Sequence, residues 1–280
     1  MPAYRLARQR IIVTLTSVAC VFALMLGASP GLAQDSQLSD AEVERIKREV
    51  MRELRESDFL QREIEIGIQA YIRKQREQQA AAQAEQERRQ AERAKNVRRV
   101  DRKRDHIFGN PDAVVSIIEY SDFECPYCQA FHETPRQLVE YYGDRVNWVY
   151  RHFPLPFHNP VAQDAAEASE CVAELGGNEA FWYFTDALYA RGPVGDAAQS
   201  RVDKLTLVEE LELDRDAFTE CLDSNRYAAR IEEDLQEGAQ IGINGTPGTV
   251  ILNRESGEVR LVVGAQPARV VAAAVEEIIN

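Results

Sequence analysis

The alternation of apolar and polar residues divides the chain into four segments. Residues 11–27 form one long, mainly apolar run. Residues 39–75 carry apolar side chains mostly at steps of three or four, which is typical of an amphipathic helix. Large apolar residues are almost absent from 76–105, and short apolar runs separated by turn residues begin near residue 106. The pattern predicts a leader, a helical segment, a polar linker and a globular domain.

The amphipathic segment, within residues 34–75, is expected to bury its apolar face against another surface, because short isolated helices are only marginally stable in water. Its apolar positions are Val43, Ile46, Val50, Leu54, Leu60, Ile64, Ile68 and Tyr71. Self-association through residues 39–75 is the simplest solution, and packing against the globular domain is the alternative. Residues 76–105 are rich in Gln, Ala, Glu and Arg, and we expect them to form a partly helical linker rather than a core.

The last segment, residues 106–280, shows the pattern of one α/β domain. The predicted strands are 113–120, 146–151, 249–253 and 258–263, and the predicted single helices are 126–142 and 267–279. A mostly helical block over about 161–241 separates the early strands from the late ones. A βαβ unit, an insertion and a ββα unit are consistent with a single central sheet.

The N-terminal apolar run is expected to export the protein. Three arginines precede the run, and the small residues Gly31 and Ala33 follow it. This order is typical of a secretory signal peptide over residues 1–33 that is cleaved after Ala33. The alternative is an uncleaved anchor, because the run just reaches the lower limit of about 17 residues for a bilayer span.

Charge is distributed unevenly along the chain. Before His106 the chain carries 21 Lys/Arg against 16 Asp/Glu, and from His106 onward it carries 12 against 30. A globular domain this acidic repels the phosphates of nucleic acids and the head groups of anionic lipids. Nucleic acid is therefore not expected as a partner.

Four cysteines remain once the leader is removed, which fits an oxidising compartment. Cys125 and Cys128 enclose Pro126 and Tyr127 directly after the apolar run 114–120. Side chains at i and i+3 of a helical turn lie about 5–6 Å apart, so the two thiols can close a disulfide. A thiolate at Cys125 would also face the unpaired N–H groups of a helix start, which favours a nucleophile at neutral pH.

Several motifs together resemble one family. Residues 121–128 (Ser-Asp-Phe-Glu-Cys-Pro-Tyr-Cys) follow a predicted strand, and residues 245–247 (Gly-Thr-Pro) precede another. The segments 151–155 (Arg-His-Phe-Pro-Leu) and 180–183 (Ala-Phe-Trp-Tyr) lie between them. In this combination, residues 106–280 resemble DsbA-like thioredoxin-fold proteins, and the N-terminal helix resembles the extension of the ScsC-like and Com1-like members. The resemblance implies an α/β thioredoxin fold with a helical insertion, preceded by the amphipathic helix and the charged linker.

The resemblance also implies roles for five residues. Cys125 would be the exposed nucleophile that forms mixed disulfides, and Cys128 the buried thiol that resolves them. Pro247 would be a cis-proline facing the redox-active disulfide, and Thr246 would present its backbone to a bound substrate strand. Glu119 would be a buried acid that takes a proton from the resolving thiol. The alternative for Glu119 is a solvent-facing position on its strand.

Glu124, directly before the first cysteine, is less expected in this family. A carboxylate at this position is expected to oppose the thiolate and to raise the pKa of Cys125, which would make the protein less oxidising. Pro126 and Tyr127 form a dipeptide similar to that of glutaredoxins and several periplasmic isomerases.

A second cysteine pair, Cys171 and Cys221, lies within the helical insertion. Some relatives join two insertion helices by a structural disulfide, and the resemblance implies the same pairing here. Two buried reduced thiols are the alternative, whereas a zinc site made of all four cysteines lacks the usual ligand spacing. The histidines show no ligand pattern. His132 is expected at the surface, and the alternative is that it tunes the cysteine site, since it lies about one helical turn from Cys128. No metal or cofactor is therefore expected.

Three functions are compatible with these features. The first is a periplasmic thiol–disulfide oxidoreductase of the isomerase or reductase type, acting on exported proteins with thiols or disulfides. The helix at 39–75, the Pro126-Tyr127 dipeptide and Thr246 favour this direction. A DsbA-like oxidase is the second function, and a chaperone-like binding module with incidental thiols is the third.

Either redox direction is expected to need a membrane redox partner of the DsbB or DsbD type. The mature protein is expected in the periplasm. If the leader is not cleaved, the protein is expected to be anchored in the inner membrane and to face the periplasm.

Overall fold

The computed structural model describes residues 38–56 and 58–279. The expected leader over residues 1–33 therefore lies outside the described residues. Contacts divide the chain into two compact units, Met1–Lys74 and Gln75–Asn280. No helix within the described residues is both long enough and apolar enough to cross a membrane.

The described part of the first unit is helical. Helix α1 covers Asp40–Glu56, and helix α2 begins at Phe59 and ends at Ala94. Ser39 and Glu42 cap α1 reciprocally, since the Glu42 N–H donates to Ser39 Oγ at 3.4 Å and the Ser39 N–H donates to Glu42 Oε2 at 2.9 Å. Helix α1 has no buried residue. Exposed apolar side chains on the two helices include Ile46, Val50, Met51, Leu60, Ile64, Ile66, Ile68 and Tyr71.

The second unit contains a five-stranded sheet. Its strands are β1 His106–Gly109, β2 Val115–Ser121, β3 Val146–His152, β4 Gly248–Asn253 and β5 Val259–Val263. Its helices after α2 are α3 Pro126–Phe131, α4 Glu133–Tyr142, α5 Val161–Arg191, α6 Ala197–Glu210, α7 Arg215–Asp223, α8 Ala228–Ile241 and α9 Ala268–Ile278. Two short 3-10 helices cover Gly143–Arg145 and Pro156–His158.

The strand order is β1-β3-β2-β4-β5. Strand β2 pairs in parallel with β3 and antiparallel with β4, and the two outer pairings are antiparallel. This is the expected α/β thioredoxin fold, with the helices α5 to α8 inserted between β3 and β4. Strand β1 was not predicted, because its short run shows no alternation and His106 pairs with the distant Tyr150. The single helix expected over 126–142 is divided at His132 into α3 and α4.

Both faces of the sheet are covered by apolar side chains. On one face, Ile117 and Trp148 pack with Val275 of α9. On the other face, Ile118 packs with Ile241 of α8. Successive residues of a strand point to opposite faces, so every residue of β2 is buried. The C-terminal end of β2, where the chain enters the cysteine motif, is therefore held firmly in the middle of the sheet.

The segment expected to be a linker ends inside the core. Two of its apolar residues are buried, Ala94 and Val97. Fully buried Arg151 of β3 donates to both carboxylate oxygens of Asp105, at 3.1 and 3.2 Å, and to Glu237 Oε1 at 2.9 Å. The expectation that residues 76–105 stay outside the core is wrong for Ala94, Val97 and Asp105, which are buried. A buried arginine needs carboxylate partners, and this segment supplies one of them.

Candidate active site

A tight turn connects β2 to the cysteine motif. The Asp122 carbonyl accepts the Cys125 N–H at 3.1 Å, and Asp122 Oδ1 accepts the Glu124 N–H at 2.8 Å. Cys125 is the N-cap residue of α3, and Pro126 follows at the first helical position, where a missing N–H costs nothing. Cys128 lies in the first turn. The local sequence thus places both sulfurs at the positive end of a helix.

The loop before β4 lies over the cysteines, which are free thiols. The Thr246–Pro247 peptide bond is cis, and Cys125 Sγ lies 3.5 Å from the Thr246 carbonyl oxygen, to which the protonated thiol can donate. Cys125 is only 3% exposed and Cys128 is fully buried, so the expectation of an exposed nucleophile is wrong. Tyr127 is 67% exposed and is the part of the motif that solvent reaches most easily.

The two thiols differ in acidity. A hydrogen bond from Cys128 is the main reason that the pKa of Cys125 is lowered to about 5. Burial opposes this shift, while Thr246 and the backbone N–H groups of Cys128 and Tyr127 add to it. Burial raises the pKa of Cys128 well above its ordinary value, and Cys125 and Glu119 raise it further. At neutral pH Cys125 is therefore the thiolate, and Cys128 keeps its proton.

Glu119 lies on β2 beneath the motif and is fully buried. Burial raises the pKa of Glu119 to about 7, although a hydrogen bond from Ser121 and the proximity of His132 lower it. Ser121 Oγ donates to Glu119 Oε1 at 2.7 Å and lies 2.8 Å from the Tyr189 hydroxyl. The solvent-facing alternative for Glu119 does not hold. A carboxyl group that titrates near neutral pH can exchange a proton with the resolving thiol.

The carboxylate of Glu124 is bonded to a loop of the insertion. Its Oε2 accepts the N–H groups of Val194 and Gly195 at 2.9 and 2.8 Å, in the loop between α5 and α6. Buried Lys204 of α6 lies within electrostatic range of the same carboxylate. The expectation that Glu124 raises the pKa of Cys125 stays a prediction, and the structure adds that this carboxylate is bonded to two N–H groups and lies near Lys204, which itself bonds Asp164. This contact leaves no local pattern in the sequence, since the partners lie about 70 residues away.

His132 is buried, whereas the sequence predicts a surface position. Only 5% of the residue is exposed, and its ring lies between Trp148 and Tyr189, with centroid distances of 5.1 and 4.6 Å. Its Nε2 lies 2.7 Å from Asp186 Oδ1. The expectation is wrong because the aromatic neighbours cover the ring and Asp186 satisfies its outer nitrogen.

The described residues contain one group of three side chains whose donor atoms lie as close together as metal ligands, within 4.8 Å: His106, His152 and Glu170. Glu170 Oε1 lies 2.9 Å from Nε2 of each histidine and 3.0 Å from Arg230 Nε. Burial alone would raise the pKa of Glu170, but the two histidines hold it well below its ordinary range. Because the Arg230 cation already balances the carboxylate, the group is an ion-pair network rather than an open metal site.

The second cysteine pair lies in the insertion. Cys171 of α5 and Cys221 of α7 form a disulfide with an S–S distance of 1.99 Å and a Cα–Cα distance of 5.9 Å. Both residues are buried in an apolar cluster of their own, formed by α5, α6 and α7. The bond therefore joins insertion helices and takes no part in the Cys125 site.

Comparison with protein families and known sequences gives one family match and several partial relatives. The Thioredoxin_4 family model, described as thioredoxin, matches residues 101–260. Na(+)/H(+) antiporter NhaA 3 of Salinispora tropica is 42% identical over 148 residues, and NhaA of Herminiimonas arsenicoxydans is 34% identical over 177 residues. The alignments cover 53% and 63% of this chain but 22% and 26% of the two antiporters. The chain thus spans about a quarter of the length of the curated relatives it matches.

Solved structures show the same fold. Pseudomonas aeruginosa DsbA2 is 28% identical with a TM-score of 0.53, and the similarity covers 62% of this chain and 94% of that chain. Salmonella enterica Typhimurium BcfH is 19% identical with a TM-score of 0.62, and the similarity covers 86% of this chain and 100% of that chain. The family model covers more than half of the sequence, and the fold agrees with it. The chain therefore belongs to the Thioredoxin_4 family and is a DsbA-like thioredoxin-fold protein.

Proposed function

We propose that this protein is a thiol–disulfide oxidoreductase that exchanges disulfides with exported proteins through Cys125 and Cys128. One observation carries the proposal: the first thiol of the pair has a pKa lowered to about 5, and the second has a pKa raised well above its ordinary value. Such a pair provides one attacking thiolate and one resolving thiol. Both thiols lie at the start of α3, beneath the loop that contains Thr246 and Pro247.

The exchange proceeds in two displacements. The Cys125 thiolate attacks a substrate disulfide, the substrate S–S bond breaks, and one substrate sulfur leaves as a thiolate. Cys128 then gives its proton to Glu119 and attacks Cys125 Sγ, which forms the Cys125–Cys128 disulfide and releases the second substrate thiolate. Two electrons pass from the protein dithiol to the substrate, and the reverse sequence donates the disulfide. The Thr246 carbonyl, 3.5 Å from Cys125 Sγ, offers a backbone acceptor beside the reacting sulfur.

The isomerase or reductase direction is supported by the helices of the first unit. Apolar side chains such as Leu60, Ile64 and Ile68 are exposed there at helical spacing. We propose that a second copy of this chain packs against this apolar stripe. Every copy carries the same stripe, so a matching apolar surface is always present at the same concentration. An assembly through residues 39–75 would present two cysteine motifs to one substrate, which suits the repair of wrongly paired disulfides.

The oxidase direction is the second candidate, and the lowered pKa of Cys125 favours it. A stabilised thiolate favours the dithiol state, so the disulfide of such a pair is a stronger oxidant. Glu124, which is expected to oppose this effect, has its carboxylate bonded to the N–H groups of Val194 and Gly195. In this direction the membrane partner would be of the DsbB type, whereas an isomerase or reductase would need one of the DsbD type. Both proposals place the protein in the periplasm, either after cleavage of residues 1–33 or anchored by them.

Refolding assays test the proposal and separate the two directions. An isomerase recovers activity from a substrate with scrambled disulfides, whereas an oxidase recovers it only from a reduced, unfolded substrate. We expect Cys125→Ala to abolish recovery from both substrates. The control is the double variant Cys171→Ala/Cys221→Ala, which retains Cys125 and Cys128 and should therefore retain recovery. Full activity of Cys125→Ala would overturn thiol–disulfide exchange and would favour the chaperone-like alternative.

A matched pair of variants tests self-association of the full chain. Ile64 lies on the apolar stripe, whereas Ile66 is equally exposed but lies off it. We expect Ile64→Glu to reduce the mass measured by light scattering to that of one chain, and Ile66→Glu to leave the mass unchanged. A single-chain mass for the wild-type protein would exclude the assembly, without affecting the exchange reaction.

A further inference from the structure

Four buried polar side chains beneath the cysteines form one continuous run of hydrogen bonds. The Ser121 hydroxyl is 2.7 Å from Glu119 Oε1, to which it donates, and 2.8 Å from the hydroxyl of Tyr189. The Tyr189 hydroxyl is in turn 3.0 Å from that of Tyr150. None of the four residues is more than 3% exposed. We call the hydroxyls of Ser121, Tyr189 and Tyr150 the hydroxyl chain, and it ends on the carboxyl group of Glu119.

The sheet and the insertion both contribute to the hydroxyl chain. Glu119 and Ser121 are two positions apart on β2, so their side chains lie on the same face of the sheet. Tyr150 is the partner of Glu119 on β3 and lies on that face as well. Tyr189 comes from the last turns of α5, where its carbonyl accepts the side-chain amide of Gln129 at 2.7 Å. The insertion therefore reaches the buried acid through Tyr189.

The donors of the hydroxyl chain all point towards Glu119 when this group is ionised. A carboxylate can only accept, and a hydroxyl has a single proton to donate. Because Ser121 donates to Glu119, it must accept from Tyr189, and Tyr189 must in turn accept from Tyr150. Each donor strengthens the next, since hydrogen bonds in a chain polarise one another. The arrangement is therefore matched to the ionised form of the buried acid.

The two tyrosine hydroxyls would satisfy each other without any chemical role. Buried polar groups are almost always paired, and the 3.0 Å contact between Tyr189 and Tyr150 meets that need for both rings. The contact of Tyr189 with Ser121 is additional, and it adds a donor to a group that already bonds a carboxylate. A buried carboxylate is costly unless hydrogen bonds compensate it. The additional contact points to a role in the ionisation of Glu119.

From this arrangement we infer that Tyr189 is a positioning residue for Glu119 and acts on it through Ser121. Its hydroxyl keeps the Ser121 proton directed at Glu119 Oε1, which supports the ionised carboxylate that receives the proton of Cys128. The Cys128 thiolate then forms the bond to Cys125 Sγ, and the substrate sulfur leaves Cys125 as a thiolate. The inference rests on the proposed exchange reaction, in which Glu119 is the proton acceptor.

Other polar and titratable groups around the hydroxyl chain come from several elements. They are Cys125 and Cys128 at the start of α3, His132 between α3 and α4, Arg136 on α4, Trp148 and His152 on β3, Asp186 on α5 and Thr249 on β4. Burial raises the pKa of Glu119 to about 7, and the Ser121 hydrogen bond lowers it more than His132 or Trp148 does. Burial also raises the pKa values of Tyr150 and Tyr189 well above normal, so both hydroxyls remain donors at neutral pH.

The infrared band of the protonated carboxyl group measures the ionisation of Glu119 directly. In reduced protein this band is assigned by the difference from Glu119→Gln, and imidazoles and thiols contribute no carbonyl band. The pH at which half of the band is lost gives the ionisation midpoint. Tyr189→Phe removes one hydroxyl and keeps the ring beside Phe123 and His132, at centroid distances of 5.3 and 4.6 Å. Tyr183→Phe on the same helix is the matched control, since Tyr183 is 50% exposed.

We expect Tyr189→Phe to raise the midpoint of Glu119 by about half a pH unit, because Ser121 loses the donor that polarises it. Ser121→Ala should raise the midpoint by about one pH unit or more, since the carboxylate loses a direct donor. Tyr150→Phe, one step further along the hydroxyl chain, should have a smaller effect than Tyr189→Phe. Tyr183→Phe should leave the midpoint unchanged.

The rate of the Cys128 step should follow the same order. Reduced protein is mixed with saturating glutathione disulfide and quenched with acid, and the mixed disulfide on Cys125 is separated by mass from the final Cys125–Cys128 disulfide. At pH 6 the higher midpoint of Tyr189→Phe corresponds to about three-fold less ionised Glu119, so the final disulfide should form about three-fold more slowly. At pH 9 Glu119 is ionised in both proteins, and the two rates should agree within about two-fold. The initial attack by Cys125 should be unaffected.

Three results would contradict the inference. Equal infrared midpoints in the wild type, Tyr189→Phe and Ser121→Ala would show that the hydroxyl chain does not support the carboxylate. The same loss of rate at pH 6 and pH 9 would make Tyr189 merely structural, and an unchanged rate despite a raised midpoint would remove Tyr189 from the exchange reaction. A wild-type protein that forms no mixed disulfide would instead overturn the exchange reaction itself, and the infrared midpoints would still decide for or against the hydroxyl chain.

Discussion

Glu124 Oε2 accepts the Gly195 N–H at 2.8 Å, and this bond ties the residue before the nucleophile to the helical insertion. The same oxygen accepts the Val194 N–H. Gln129 of α3 makes a second connection by donating to the Tyr189 carbonyl at 2.7 Å. The active-site helix is therefore held against the end of α5 and the loop that follows it. We therefore assign Glu124 a part in this attachment, and its effect on the acidity of Cys125 is expected to be small.

Replacing Glu124 tests this assignment. We expect Glu124→Ala to lower the free energy of unfolding by about 1 kcal/mol, because the N–H groups of half-buried Val194 and exposed Gly195 lose a carboxylate acceptor. The pKa of Cys125, measured by thiolate absorbance, should move by less than about half a unit, a small fraction of the shift that one adjacent charge can cause. Glu133→Ala, at an exposed position on the next helix, is the control for loss of a carboxylate. A large fall in the pKa of Cys125 would show that Glu124 does oppose the thiolate.

Cys128 is the main source of the low pKa of Cys125, and its removal should show this. We expect Cys128→Ala to raise the pKa of Cys125 from about 5 by one unit or more, because the thiolate loses its principal donor. Cys128→Ser retains an O–H donor and should give a smaller rise. The pH dependence of alkylation by iodoacetamide measures both values. Equal pKa values in the wild type and in both variants would assign the shift to the helix start instead.

Burial of Glu119 makes stability depend on pH. The Glu119 carboxyl group ionises near pH 4.5 in the unfolded chain but near pH 7 in the folded protein. Its contribution to the free energy of unfolding is therefore fully present below pH 4.5 and is lost as the pH rises through 7. A shift of this size corresponds to about 3 kcal/mol. We expect the stability of Glu119→Gln relative to wild type to increase by about that amount between pH 4 and pH 8.5. Urea unfolding with the same thiol state in both proteins measures it.

Glu140→Gln provides the comparison for this experiment, since Glu140 is exposed on α4. Its stability relative to wild type should be the same at pH 4 and pH 8.5. A pH-independent difference for Glu119→Gln would mean that Glu119 ionises at the same pH in the folded and unfolded states.

The disulfide in the insertion should contribute to stability but not to exchange. It joins residues separated by 50 positions, and a closed loop of that length corresponds to about 4 kcal/mol of stabilisation in the chain-entropy description. We therefore expect Cys171→Ala/Cys221→Ala to unfold at a clearly lower urea concentration while its Cys125 alkylation rate stays unchanged. A changed alkylation rate would show that the insertion cluster and the redox site are coupled.

The order of elements was predictable because most of it is encoded locally. The run that forms β2 is rich in β-branched and aromatic residues, and Pro126 marks the start of α3. The buried charges were not predictable in this way. Asp105 appears in a solvated, charged stretch of sequence, yet it pairs with Arg151, a residue 46 positions later. Polar residues that are buried through distant partners leave no periodic signal.

The same limit applies around the cysteines. Cys125, Cys128 and the cis Thr246–Pro247 bond lie where their motifs indicated, and the structure brings them together. The burial of His132 depends on Trp148 and Tyr189, which belong to other elements. Sequence spacing places a residue on a helix, but only the packed fold decides whether that face of the helix meets solvent.

The burial of the Cys171–Cys221 bond also matters for a protein that attacks disulfides. Thiolate attack requires approach to one of the two sulfurs, and Cys171 and Cys221 are packed among the apolar side chains of the insertion cluster, whereas Cys125 borders the loop of Thr246. Because its two sulfurs are already joined, this pair has no thiolate of its own to attack a substrate. Cys125 and Cys128 are the free thiols among the described residues, so the exchange chemistry is confined to the C-terminal end of β2.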